Sequence, residues 1–225
     1  MKLVFRFFLK LFLWFGVQYI LWVLIYKFVS VQYTPLMGIR SIHGNTDYET
    51  KHNWVPIEEI SPNLQLAVIC AEEQNFLSHN GFDYVELKKA YIKNKTSKDV
   101  KGASTISQQT AKNVFLWPQR SWVRKGFETY FTFLIEILWS KERILEVYLN
   151  SIEMGNGVYG AEAASNYWFH KKAKNLSRFE AASIAAILPN PREFKANPRT
   201  NYVEKRKTWI INQMSNYGTF VLEKS

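Results

Sequence analysis

The chain begins with an uninterrupted apolar run. Leu11 to Tyr26 (LFLWFGVQYILWVLIY) holds 16 residues and no charge, so it lacks the polar face of a helix resting on a soluble core. A bilayer crossing needs about 20 apolar residues. Lys27 can snorkel, and Phe28, Val29 and Val31 continue the apolar character past it. The unit from Leu11 to Tyr33 is therefore expected to span a membrane, with aromatics at its outer edge. Lys2, Arg6 and Lys10 precede the run and no acid occurs in residues 1–30. This places the N-terminus in the cytoplasm and the rest of the chain outside it. A cleaved leader fits less well, because the run is long for a leader and no small-x-small site follows it.

Beyond the span the pattern changes. Residues 34–60 read as a connector, interrupted by Pro35, Gly38 and Gly44 and polar from Asp47 to His52. From Ser61 onward the pattern is helical, with repeated start signals. Ser61-Pro62 opens a helix towards Glu72. Asp83-x-x-Glu86 reads as a capping box for a helix to about Asn94, and Lys93 to Lys101 as a polar loop that could act as a lid. Ser104 is expected to cap a helix through Phe115, Pro118 breaks the chain, and Ser121 starts a long helix to about Trp139. Ser140 caps Lys141 to Asn150, and Gly155, Gly157 and Gly160 form a loop before a helix around Glu162 to Trp168. Ser177-x-x-Glu180 opens a helix that Pro189-Asn190-Pro191 ends. Asn201-x-x-Glu204 opens the last helix, with Gly218 as its stop. Strand signals are scarce. The expected fold is mainly α: an anchor in 1–33, a connector in 34–60 and a multi-helix domain in 61–225.

Composition narrows the partners. Net charge is +10, and setting aside the four cations of the first 30 residues still leaves 25 basic against 19 acidic residues, or +6. Such a domain suits anionic lipid, a phosphate-bearing substrate or nucleic acid. Nucleic acid fits poorly with a domain outside the cytoplasm. Cys70 is the only cysteine, so no intrachain disulfide forms, and it reads as a small buried residue. His43, His52, His79 and His170 show no metal-ligand spacing.

Three polar clusters carry the candidate chemistry. The first, Ala71 to Asp83, puts Glu72, Glu73, Phe76 and His79 just after the apolar stretch Leu64 to Ala71. Glu72 ends an apolar helix, so partial desolvation would raise its pKa and make it a proton acceptor near neutrality. Glu73 reads as a solvated surface acid, and His79 as a residue that holds a loop by hydrogen bonding or acts as a base. The second cluster holds Ser104, Thr105, Gln108 and Gln109 at a helix start, where amides, hydroxyls and backbone N–H groups suit phosphate or sugar oxygens. Ordinary capping explains the same residues. The third surrounds Glu128 with Arg124 and Lys125. Lys112 and Arg120 add to a cationic group beside the apolar loop Val114 to Pro118. Arg124 lies four residues before Glu128, so a helical ion pair competes with a catalytic role. Beside a membrane anchor, the mixture of cations and apolar residues suits a lipid-linked anion.

Taken together, the motifs resemble those of the peptidoglycan glycosyltransferases of glycosyltransferase family 51, and most closely the monofunctional biosynthetic transglycosylases. The resemblance runs from about Ser61 to Pro198. It rests on Glu72 to Gly81, Gly102 to Gln109 with Lys112-Asn113, Arg124 to Glu128, Lys141 to Asn150, and Glu180 to Pro191, in that order. Glu73 stands where the family usually has Asp, and Trp168-Phe169 where it usually has Tyr-Phe.

The resemblance implies a lysozyme-like, mainly α fold and polymerisation of lipid II into a β-1,4 glycan with inversion at the donor carbon. It implies Glu72 as the general base, and Glu128 as the residue assisting at the donor diphosphate through cations or as a proton donor. Lys112 and Arg120 would hold the diphosphate, with Arg124 beside them. Ser104, Thr105, Gln108, Gln109, Asn113, Phe76 and His79 complete the substrate-binding set. No cofactor is required, although some family members respond to Mg or Mn. Lipid II, the growing glycan, membrane lipid and other proteins of wall synthesis or division are the expected partners, at the inner membrane with a periplasmic catalytic domain. A glycan-cleaving muramidase or lytic transglycosylase, or a non-catalytic lipid II scaffold, are the alternatives.

Overall fold

The computed structural model describes residues 2–43, 49–96, 102, 104–218, 220 and 222. The described residues are mainly helical. The helices are α1 (Lys2–Phe28), α2 (Pro35–His43), α3 (Pro62–Glu72), α4 (Tyr84–Thr96), α5 (Ile106–Phe115), α6 (Trp122–Leu138), α7 (Lys141–Ser151), α8 (Ala161–Phe169), α9 (Arg178–Ile187) and α10 (Asn201–Asn216). Short strands β1 (Lys51–His52), β2 (Glu153–Gly155) and β3 (Val158–Tyr159) form one small sheet in the order β1-β3-β2.

Side-chain caps set most helix starts. Ser61, Ser121, Ser140 and Ser177 each accept a hydrogen bond from the backbone of their own first turn, which satisfies donors the helix leaves open. Two caps fall one residue from their expected place. Thr105 rather than Ser104 caps α5, and Thr200 rather than Asn201 caps α10. The reason at α5 is tertiary: Thr105 Oγ1 also donates to the Gly81 carbonyl at 2.7 Å, a partner that exposed Ser104 lacks. Helix α4 runs through Thr96, so Lys93 to Thr96 is its last turn rather than a loop. Residues 97–101, and with them most of the expected lid, lie outside the described residues.

The expected connector carries structure of its own. It supplies α2 and β1, and Lys51 pairs with Val158 in parallel register. Asn150 closes this region from α7. Its Oδ1 accepts from Val55 N at 3.0 Å and its Nδ2 donates to Val55 O at 2.9 Å. Arg40 of α2 pairs with the buried carboxylate of Glu153 on β2.

The core lies between two helix groups. Helix α3 packs on α9 and α10, while α5 packs on both α6 and α7. Phe115 stacks flat on Phe131 at 4.6 Å, so the run Val114 to Leu116, read as part of an apolar loop beside the cations, is buried core. Its burial removes the apolar rings from solvent, a gain of about 2–3 kcal/mol per large side chain.

Helix α1 is long and apolar enough to cross a membrane. It starts at Lys2 and ends at Phe28, earlier than the expected limit of Tyr33. Its last turn leaves carbonyls open, and Arg143 fills them, donating through Nη2 to Tyr26 O at 2.9 Å and Val29 O at 2.7 Å. Val31 then turns into the core and is fully buried. The C-terminal half of α1 docks on the domain. Tyr19 meets Phe131 at 5.5 Å, Trp22 meets Phe115 at 5.1 Å, and Trp139 Nε1 donates to Val23 O at 2.9 Å.

Candidate active site

The first polar cluster forms where α3 ends beside α5. Glu72 is half-buried, and its Oε2 accepts from Gln109 Nε2 at 3.0 Å. Gln109 Oε1 in turn accepts from the Tyr148 hydroxyl at 3.3 Å. Tyr148 is buried in α7, and burial together with the nearby Glu72 and Glu73 carboxylates raises its pKa well above the usual value. It is therefore a fixed donor, and it turns the Gln109 amide so that its N–H faces Glu72.

Glu73 corrects the expectation of a solvated acid. It leaves the helix in an extended conformation and is 8% exposed. Its Oε2 accepts from Ile106 N at 2.8 Å and its Oε1 faces His79 Nε2 at 2.5 Å. Burial raises its pKa, offset in part by the Ile106 N–H and by His79. His79 is thus a loop-holding residue in this arrangement, and its buried Nδ1 has no partner among the described residues.

Several expected substrate ligands are used inside the fold. Thr105 and Gln108 are buried and form a reciprocal capping box, Gln108 Oε1 accepting from Thr105 N at 3.0 Å. Thr105 Oγ1, Thr105 N, Gln108 N and Gln108 Oε1 are thereby engaged at the helix start. Phe76 is fully buried, with Lys141 Nζ 4.7 Å from its ring centre, and belongs to the core. Asn113 is buried on α5, and Ser104 is exposed just before the cap.

The cationic cluster does assemble. Glu128 is buried in α6, with Oε2 accepting from Arg124 Nη1 at 3.2 Å and Oε1 from Lys125 Nζ. Lys112 of α5 faces this group. Burial lowers its pKa, Glu128 raises it, and Arg124, Arg120 and Lys125 lower it further. Lys112 thus feels one carboxylate, Glu128, and three cations, Arg120, Arg124 and Lys125, which leaves an excess of positive charge around it. Arg124 keeps a buried Nε without a partner among the described residues. Gln109 and Lys112 are three residues apart on α5, so they share one helix face with Cβ atoms about 5–6 Å apart. One face of α5 thus joins the Glu72 end of the site to the Glu128 end.

Among the described residues, no three His, Cys, Asp or Glu side chains converge to hold a metal ion.

Sequence reasoning missed two features. Tyr148 sits among Ile144, Leu145 and Leu149 and reads only as core. An apolar stripe on α6 also escaped it: Trp122 (92% exposed), Val123, Phe133 and Ile137 face solvent on the helix against which α1 docks. At 100° per residue Trp122, Phe133 and Ile137 fall within about 60° of one another on the helix, and that was the available signal.

A family model described as transglycosylase matches residues 39–215. A biosynthetic peptidoglycan transglycosylase of Bdellovibrio bacteriovorus is 57% identical over 196 residues, covering 86% of this chain and 78% of the relative. That of Bacteroides thetaiotaomicron is 53% identical over 217 residues, covering 95% and 88%. That of Escherichia coli is 49% identical over 199 residues, covering 86% and 82%.

Proposed function

The chain belongs to the transglycosylase family, and on that premise we propose that it polymerises lipid II into β-1,4-linked glycan, inverting the donor anomeric carbon and releasing undecaprenyl diphosphate. The mainly α, lysozyme-like fold expected from its motifs is that of the family.

Glu72 acts as the general base. It takes the proton from the acceptor 4-hydroxyl as that oxygen attacks the donor carbon and the bond to the diphosphate breaks. Gln109 fixes the carboxylate through its N–H bond to Oε2. Charge grows on the departing diphosphate, and Lys112, Arg120 and Arg124 offset it in a site of lowered dielectric. Glu128 accepts hydrogen bonds on both oxygens, so its part is to hold Arg124 and Lys125 in place rather than to donate a proton.

The observation that carries this reading is the single face of α5. It bears both the amide that orients Glu72 and the ammonium that enters the cationic cluster. A glycan-cleaving enzyme has a use for the first and none for the second, because its substrate carries no diphosphate.

Helix α1 serves as the membrane anchor, with the N-terminus in the cytoplasm and the domain on the periplasmic side of the inner membrane. The apolar stripe of α6 then rests in the outer leaflet, where the lipid tail of the substrate also lies.

The decisive assay is polymerisation of labelled lipid II by the detergent-purified protein, beside Glu72→Gln. Long glycan from the wild type and none from the variant is the expected result. A folded wild type that makes no polymer but lyses purified cell wall would replace this reading with the cleaving one. Equal polymer from Glu72→Gln would remove the base.

A further inference from the structure

We propose that Glu73 is a positioning residue for Glu72, acting through α5. The inference rests on Glu72 being the base of the reaction proposed above. Two successive residues leave the end of α3, and each fastens to the same neighbouring helix. Glu72 meets Gln109 at 3.0 Å, and Glu73 meets Ile106 N at 2.8 Å. Ile106 and Gln109 are one helical turn apart, so the two contacts fix both the distance between α3 and α5 and the rotation of α5 about its axis. That rotation decides whether the Gln109 amide, itself turned by Tyr148, faces Glu72.

The Glu73 contact is made for this task. Ile106 is the first residue of α5, and its N–H is one of the donors that a helix start cannot satisfy internally. A carboxylate suits that end electrostatically. The second oxygen is held by His79 at 2.5 Å, and the side chain is buried, so Glu73 has little freedom to leave. The remaining charged neighbours are Lys141, which stabilises the carboxylate, and Glu72 itself. Asp83 lies beyond His79. Glu73 touches no reacting atom in this scheme. It governs where Glu72 stands, and a misplacement of about 1 Å costs on the order of 100-fold in rate.

The test is steady-state polymerisation of lipid II by the full-length protein in detergent, with folding checked by circular dichroism. The variants are Glu73→Ala, Glu73→Gln, Glu73→Ser, Gln109→Ala, the double variant Glu73→Ala/Gln109→Ala, and Glu72→Gln as reference. Glu73→Ala is expected to lower kcat by about 100-fold and leave KM within about twofold. Glu73→Gln keeps an acceptor for Ile106 N–H and an N–H for a neutral His79, so it should recover to within about threefold of the wild type. Because Glu73 and Gln109 act on the same carboxylate, the double variant should be no slower than the slower single one. Wild-type kcat in Glu73→Ala, multiplying losses in the double variant, or a Glu73→Gln as slow as Glu73→Ala would each overturn the proposal. Should Glu73→Ala fail to fold, Glu73→Ser decides. It keeps a polar side chain too short to reach Ile106 N, and kcat equal to the wild type would again overturn the proposal. An active Glu72→Gln sinks the underlying reading; an inactive one beside a wild-type Glu73→Ala sinks only the positioning role.

Discussion

Arg124 and Glu128 stand one turn apart on α6, joined Nη1 to Oε2 at 3.2 Å, while Lys125 takes the other carboxylate oxygen. The carboxylate thus serves as a buried frame for two cations, and leaving it uncharged would release both. Glu128→Gln is expected to reduce lipid II turnover by about 100- to 1000-fold. Arg124→Lys should also be impaired, because a lysine cannot hold Glu128 and still present a second planar donor. Initial rates of glycan formation at saturating lipid II check both.

Lys112 sets the alkaline limit. Burial and three neighbouring cations pull its pKa below the ordinary lysine value, so it loses its proton earlier than an exposed lysine as pH rises. On the proposed role of Lys112, affinity for the diphosphate is expected below that lowered pKa and should fall as pH passes through it. Lys112→Arg stays charged and should extend the plateau of kcat/KM to higher pH. The same shift means the folded state binds fewer protons than the unfolded one between the two pKa values, so stability rises with pH in that window. Lys112→Met removes the cost at neutral pH. It is expected to raise stability by about 0.5–2 kcal/mol while abolishing polymerisation, as a thermal melt beside the glycan assay would reveal.

Two glycines should respond in opposite directions. Gly160 has φ of +81°, and a Cβ there would lie 2.6 Å from the backbone oxygen of Asn150, which cannot move aside. Gly160→Ala should lose about 2 kcal/mol or more. Gly126 lies inside α6 with open space around it, so Gly126→Ala should gain about 0.5–1 kcal/mol. Unfolding curves in one detergent compare the pair directly.

The α6 stripe makes a prediction for vesicles. Cys70 is buried and is the only cysteine, so a cysteine introduced at Trp122 can be labelled selectively. An environment-sensitive fluorophore there should report an apolar medium and be quenched by spin labels carried on lipid tails. The same label at Lys172, exposed and far along the chain from α6, should report water.

What the sequence revealed depended on how far its signals reach. Caps at Ser61, Ser121, Ser140 and Ser177 act within one turn, and they were legible as such. Thr105 and Ser104 are adjacent and chemically alike, and the choice between them lies with a carbonyl 24 residues away at Gly81. Glu73 looked like surface because its two partners were not readable from its neighbours, and one of them, Ile106, is 33 residues on. A longer separation, 107 residues, hid the pairing of Lys51 with Val158 and made residues 34–60 look like a tether. The residue types of the candidate site were readable, but which of them face inward was not: Thr105, Gln108 and Phe76 turn into the fold, while Gln109 and Lys112 remain on the shared face.

The docking of α1 has a mechanical consequence. With Arg143 closing its end and Trp139 bonded to Val23 O, the anchor and the domain turn as one piece. On the proposed topology, such an enzyme cannot swing on a leash. It drifts and spins in the plane of the bilayer with its cleft at a constant height, and it meets its lipid-borne substrate by a two-dimensional search in which neither molecule has to find the other's level.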